Sequence, residues 1–60
     1  MKRRDLERRL RELGWRLQRH GGKHDVWCSP DGSFTEYVPR HAEINEWLAR
    51  VILKRVKEKS

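Results

Sequence analysis

Leu6, Leu10 and Leu13 recur at intervals of four and three residues in a run where nearly every other position is charged. On a period of 3.6 they fall within an arc of about 60°, which predicts an amphipathic helix over about Arg3 to Leu13. Asp5 with Arg9 and Glu7 with Arg11 are acid-before-base pairs four apart, each worth ~0.3 kcal/mol, and Gly14 is placed to end the helix in a left-handed conformation. From Trp15 to His20 the pattern changes to alternation. Trp15, Leu17 and Arg19 fall on one side and Arg16, Gln18 and His20 on the other, as a first strand requires. His24 to Cys28 reads as a second strand, with His24, Val26 and Cys28 on one face and Asp25 and Trp27 on the other. The Gly21-Gly22 pair between them lets the backbone take positive φ and turn. Ser29-Pro30-Asp31-Gly32 is a turn, since proline fixes one φ and Asp-Gly accepts the reversal. Ser33 to Val38 follows as a third strand, and Pro39, lacking an amide hydrogen, should stop the sheet pattern. Asn45 is a helix N-cap, with Glu46 in the first turn and a helix running to about Lys57. Leu48, Val51, Ile52 and Arg55 form its expected central stripe, with Trp47 and Val56 on the flanks.

These elements define an α+β fold in the order α-β-β-β-α, a three-stranded antiparallel meander with both helices on one face. That is the architecture of double-stranded-RNA-binding domains. Sixty residues allow one domain, 1–60, with a small core that a partner protein would help to stabilise. No repeat, linker or low-complexity segment interrupts it. No stretch approaches the ~18 apolar residues of a membrane span, and the lone Cys28 has no internal disulfide partner, so a cytoplasmic protein away from membranes is expected.

Charge changes the picture. Lysine and arginine number 15 against 9 acidic residues, for a net charge of +6 and a pI near 10.3. Such a balance favours a polyanion, and nucleic acid is the leading candidate. The arginines of the first helix are either surface salt-bridge partners or part of an RNA-facing patch. The candidate chemistry lies at Gly21-Gly22-Lys23-His24, where a flexible, cationic turn suited to close approach of a phosphate presents a histidine at a strand start. Histidine is the side chain most easily poised near neutral pH to move a proton. Lys23 and Arg19 are the nearest sequence neighbours able to neutralise phosphate charge. Trp15 and Trp27 are either core residues or platforms on which a base stacks.

Several motifs in order carry a family resemblance: Lys2-Arg3-Arg4-Asp5-Leu6, Gly14-Trp15, Arg19, the Gly21-Gly22-x-His24 turn with Trp27 three residues on, and Pro39-Arg40-His41 followed by Glu43-Ile44. The chain resembles HicA, the toxin of bacterial HicA/HicB toxin-antitoxin pairs, over nearly its whole length. At Lys23 it departs from the small or amide residue common in that family, which makes the turn more cationic. The resemblance implies a metal-independent endoribonuclease, free of cofactors, that cuts messenger RNA and stops growth through a single histidine matching His24. Arg19, Gly22, Lys23 and Trp27 would then bind RNA, and His41 would be a possible helper. It also implies an antitoxin partner of the HicB type, covering His24. The residues fit that chemistry, because RNA carries its own nucleophile and needs proton transfer, cations and positioning rather than a metal. Whether His24 would act as base or acid is left open by one histidine. A zinc site is disfavoured, since His24 and Cys28 stand four apart on one strand and are therefore ~13 Å apart. No nucleophile elbow surrounds Ser29 or Ser33. The rival reading is a non-catalytic module that binds double-stranded RNA, which has no special use for an imidazole at the turn.

Overall fold

The computed structural model describes residues 1–59. Helix α1 spans Arg3–Glu12, strands β1, β2 and β3 span Arg16–His20, His24–Cys28 and Thr35–Pro39, and helix α2 spans Glu46–Glu58. The strands form one antiparallel sheet in the order β1-β2-β3, with β2 central. Both helices lie on one face of it. A single cluster joins Leu6 and Leu10 of α1 and Ala49, Ile52, Leu53 and Val56 of α2 to Trp15, Trp27, Val38 and Ile44. The expected class and order of elements are those observed.

Local chemistry explains the boundaries. Gly14 adopts φ +87°, its N–H donates to the Arg11 carbonyl at 2.9 Å, and that of Trp15 donates to the Leu10 carbonyl at 2.9 Å. This paired closure caps the last helical carbonyls and drops Trp15 directly into the core beside Leu10. The Asn45 side chain accepts from the N–H groups of Trp47 and Leu48, capping α2. In the β2–β3 loop, Asp31 accepts from the Ser33 N–H at 2.9 Å and the Ser29 hydroxyl at 2.8 Å. Those bonds, the Ser33 N–H first, hold its carboxyl below the ordinary value of 3.8. The loop therefore gains this support at pH values above that ordinary pKa and loses it as acid protonates Asp31. The Ser29 N–H donates to the Phe34 carbonyl. Ser33 and Phe34 thus belong to the loop, and β3 starts at Thr35 rather than Ser33. Pro39 is itself the last residue of β3, tolerated because β3 is an edge strand.

Three expectations are corrected. The buried stripe of α2 is Ala49, Ile52, Leu53 and Val56, not Leu48, Val51, Ile52 and Arg55. That is a turn of one residue, ~100° about the axis. Two features favour it: Ala49 is small where the helix meets the core, and Arg55 is left outside to reach Glu36 at 3.4 Å. Glu36 is a buried carboxylate on β3, which also lies 3.9 Å from Lys59. In α1 the ion pairs formed are Arg3 with Glu7 and Arg8 with Asp5, while the Arg11 guanidinium stacks over Trp27, 5.2 Å from the ring centroid. In β1 the expected alternation breaks at a bulge between Leu17 and Arg19. Leu17 then pairs with Trp27 and His20 with Asp25, toward the helices, while Arg16 pairs with Cys28 and Arg19 with Val26, toward the open face.

The rotated stripe is tested by paired truncations. Ile52→Ala, at a buried position, should cost ~2–5 kcal/mol. Trp47→Ala, where the ring is 72% exposed, should change stability by less than about 0.5 kcal/mol despite removing far more mass. Urea unfolding of both variants reads the difference, and an equal loss would contradict this placement of α2.

Candidate active site

The face of the sheet that the helices leave open is where Arg19, Lys23 and His24 of the β1–β2 hairpin gather. The hairpin closes tightly. The Gly21 N–H donates to the His24 carbonyl at 2.8 Å. Gly21 and Gly22 do not use the positive φ expected of them, for the glycines that adopt it are Gly14 and Gly32. Gly21 is required for space instead. A Cβ there would stand 2.4 Å from the His24 carbonyl oxygen, whereas one on Gly22 would meet nothing within 4 Å. The turn thus fixes the backbone of His24 and leaves the outer side of Gly22 free for a close approach.

His24 opens the central strand with an exposed side chain. On its face of β2 come Val26 and Cys28, and their cross-strand partners are Arg19 and Arg16 on β1 and Pro39, Tyr37 and Thr35 on β3. Arg19, Gly21, Gly22, Lys23, His24, Val26 and Tyr37 line one shallow depression of ≈ 230 Å³. The bulge in β1 matters here, because strict alternation from Leu17 would have turned Arg19 to the opposite face. Four residues singled out in the sequence, Arg19, Gly22, Lys23 and His24, are therefore brought together.

Two others are not. Trp27 is fully buried on the opposite face, beneath the helices and Arg11, so no base can reach its ring and its place is in the core. Its Nε1–H is buried without an acceptor among the described residues. His41 is exposed and lines a neighbouring depression with Lys23 and Arg40. Lys23 borders both depressions, with His24 in one and His41 in the other.

A clamp that the sequence did not suggest holds the hairpin from behind. Asp25, next to His24 but pointing to the helical side, is only 3% exposed. Its carboxylate accepts from His20 Nδ1 at 2.9 Å and faces Arg40 Nε at 3.5 Å. The Arg40 N–H reaches the Lys23 carbonyl at 3.4 Å, and Arg3 Nη1 donates to the Arg40 carbonyl. The two ends of the hairpin, the segment after β3 and the start of α1 are thereby tied at one point. Pairing partners so far apart in sequence leave no local signal. Among the described residues no three His, Cys, Asp or Glu side chains are grouped to hold a metal ion. None of the described helices is long and apolar enough to cross a membrane.

The fold and this face define the class: a basic α+β domain with the α-β-β-β-α element order found in double-stranded-RNA-binding domains, and an exposed histidine at the mouth of its first hairpin. More particularly, the chain belongs to the HicA toxin family of bacterial toxin-antitoxin systems, whose family model matches residues 3–57. No curated protein and no solved structure matches it. Membership makes the protein the toxin of a toxin-antitoxin pair, and implies an antitoxin partner.

The two glycines should respond differently to the same added methyl group. Gly21→Ala forces backbone at the hairpin mouth to shift and should cost about 1–3 kcal/mol, while Gly22→Ala should stay within ~0.5 kcal/mol. Thermal unfolding measures the cost. The ring resonances of His24 should move in Gly21→Ala only, and equal behaviour of the two variants would remove the steric account of the turn.

Proposed function

We propose that this toxin is an endoribonuclease, an mRNA interferase that stops growth by cutting messenger RNA, with His24 as its proton-transferring residue. The observation that carries the reading is the sharing of one depression by an exposed imidazole and two cations, Arg19 and Lys23, on a face no helix covers. Membership of the HicA toxin family supports it.

The chemistry needs little else. The 2′-oxygen of a ribose attacks the adjacent phosphorus, the bond from phosphorus to the 5′-oxygen breaks, the 2′-hydroxyl proton leaves and the departing 5′-oxygen gains a proton. His24 moves one of these two protons, taking the first or delivering the second. Arg19 and Lys23 offset the charge that builds on the phosphoryl oxygens, and the open outer side of Gly22 lets backbone approach the phosphate. No step calls for a metal or an organic cofactor. His41, in the next depression beyond Lys23, serves structure or partner contact rather than proton transfer.

The same face is the natural target of restraint. With a net charge of +6 on the chain, an acidic antitoxin domain laid over His24, Lys23 and Arg19 would exclude RNA by charge and by volume. Binding the folded form, it would also stabilise this small domain by mass action.

His24→Ala tests the proposal. His24 is exposed and lies outside the core cluster, so the variant should fold and still bind RNA, with cleavage lower by ~10²-fold or more and no growth arrest when expressed alone. His41→Gln should cleave within a few-fold of the parent. Cleavage by His24→Ala at the parental rate would contradict the mechanism. Binding by parent and variant with cleavage by neither would make the protein a non-catalytic RNA-binding module.

A further inference from the structure

The chain has five aromatic side chains, and four are placed elsewhere. Trp15 and Trp27 are core residues, the Phe34 ring faces the Lys59 ammonium at 5.6 Å, and Trp47 sits on α2, on the helical side of the sheet. Tyr37 is the aromatic of the open face, 57% exposed and lining the depression that holds His24. Register fixes its neighbours. Val26 pairs with Tyr37 on one side and Arg19 on the other, so the three side chains make a row across the sheet. His24 is the next residue of that face along β2, diagonal to Tyr37, a Cα separation of ~7–8 Å.

Val26 is only 4% exposed although no helix covers it. On its own face Arg19 and Tyr37 are its cross-strand neighbours, and all three line the depression. The depression thus has an apolar floor, one aromatic wall, one cationic wall, and Lys23 and His24 at its end. Cations and an imidazole suit a phosphate. An apolar floor beside an exposed ring does not, and suits the flat face of a nucleobase.

We propose that this depression takes single-stranded RNA, with one base stacked on Tyr37 beside the phosphate held by Arg19, Lys23 and His24. The proposal rests on RNA being the ligand of this face and goes beyond it in naming the form of RNA and the residue that selects it. A duplex offers phosphates and groove edges but no free base face, so it cannot use Tyr37. A single strand can splay a base out. The diagonal spacing from Tyr37 to His24 is within the reach of one nucleotide, and a base withdrawn from its stack leaves its sugar free to bring the 2′-oxygen in line with the leaving group. Tyr37 is therefore a positioning residue as well as a binding one.

Binding is measured with the full chain carrying His24→Ala, so that the probe survives, using a short single-stranded oligoribonucleotide containing 2-aminopurine and a blunt duplex of the same sequence. The single strand should show quenched 2-aminopurine fluorescence on binding. Adding Tyr37→Ala should abolish the quenching and weaken binding roughly five- to a hundredfold. Tyr37→Phe should keep both, Tyr37→Leu should behave like Tyr37→Ala, and duplex binding should be the same in all four proteins. Circular dichroism checks that each is folded. Equal single-strand affinity with and without the ring, or an equal loss for single strand and duplex, would overturn the proposal. The two readings fail separately: ring-dependent binding without cleavage by the His24 parent sinks the nuclease and leaves the platform, whereas cleavage with kcat/KM unchanged by Tyr37→Ala does the reverse.

Discussion

The molecule depends on the one-sided burial of a three-stranded sheet. So short a chain has material for one core, and here both helices are spent on the same face, closing over Trp15, Trp27 and Val38. The other face carries no helix and is consequently open to solvent or to a ligand. The closure is local at each join: a left-handed glycine turns the chain from α1 into Trp15, and an asparagine cap starts α2. Among the described residues the buried charged side chains are two carboxylates, Asp25 and Glu36; Asp25 faces His20 and Arg40, and Glu36 faces Arg55 and Lys59. Removing both partners of either one would leave a carboxylate inside without compensation, which costs more than the pairing contributes.

The open face inherits its chemistry from that arrangement. Gly21 draws the hairpin shut against the His24 carbonyl, the β1 bulge turns Arg19 toward the imidazole, and the Asp25 clamp ties the hairpin to Arg40. The backbone thus brings an imidazole and two cations to one depression. Under the proposed function, charge gathered in this way is what phosphodiester cleavage would need from the protein. Membership of the HicA toxin family implies an antitoxin partner, and the uncovered basic face is where the proposed function puts it.

How much of this was legible in the sequence follows from the range of each interaction. The α1 leucines, the Gly14 stop, the Asn45 cap and the alternation of β2 are local, and the elements they predict are those observed. The parts of the candidate site within one hairpin, from Arg19 to His24, were equally local. What escaped was set by tertiary partners. The bulge appears only once β1 must pair with β2, so the simple alternation put Arg19 on the wrong face. The α2 stripe turned because Ala49 and Arg55 answer to the sheet and to Glu36, not to hydrophobicity along the helix. Trp27 was offered as a stacking platform on its ring alone, and its burial depended on which face the helices chose. Tyr37 lies on β3 and Arg40 just beyond it, so only the pairing of β3 with β2 and the contact of Arg40 with Asp25 bring them to the hairpin.

The central claim is that the protein uses the substrate's own 2′-oxygen, with His24 moving the proton. Its most direct measure is cleavage, with excess chelator present, of one single-stranded oligonucleotide made all-ribo or with a single 2′-deoxy residue at the mapped cut site. The all-ribo strand should be cut and leave a 2′,3′-cyclic phosphate on its upstream product, while the deoxy-substituted site stays intact. Scission at the deoxy position, or loss of all cleavage on chelation, would contradict it.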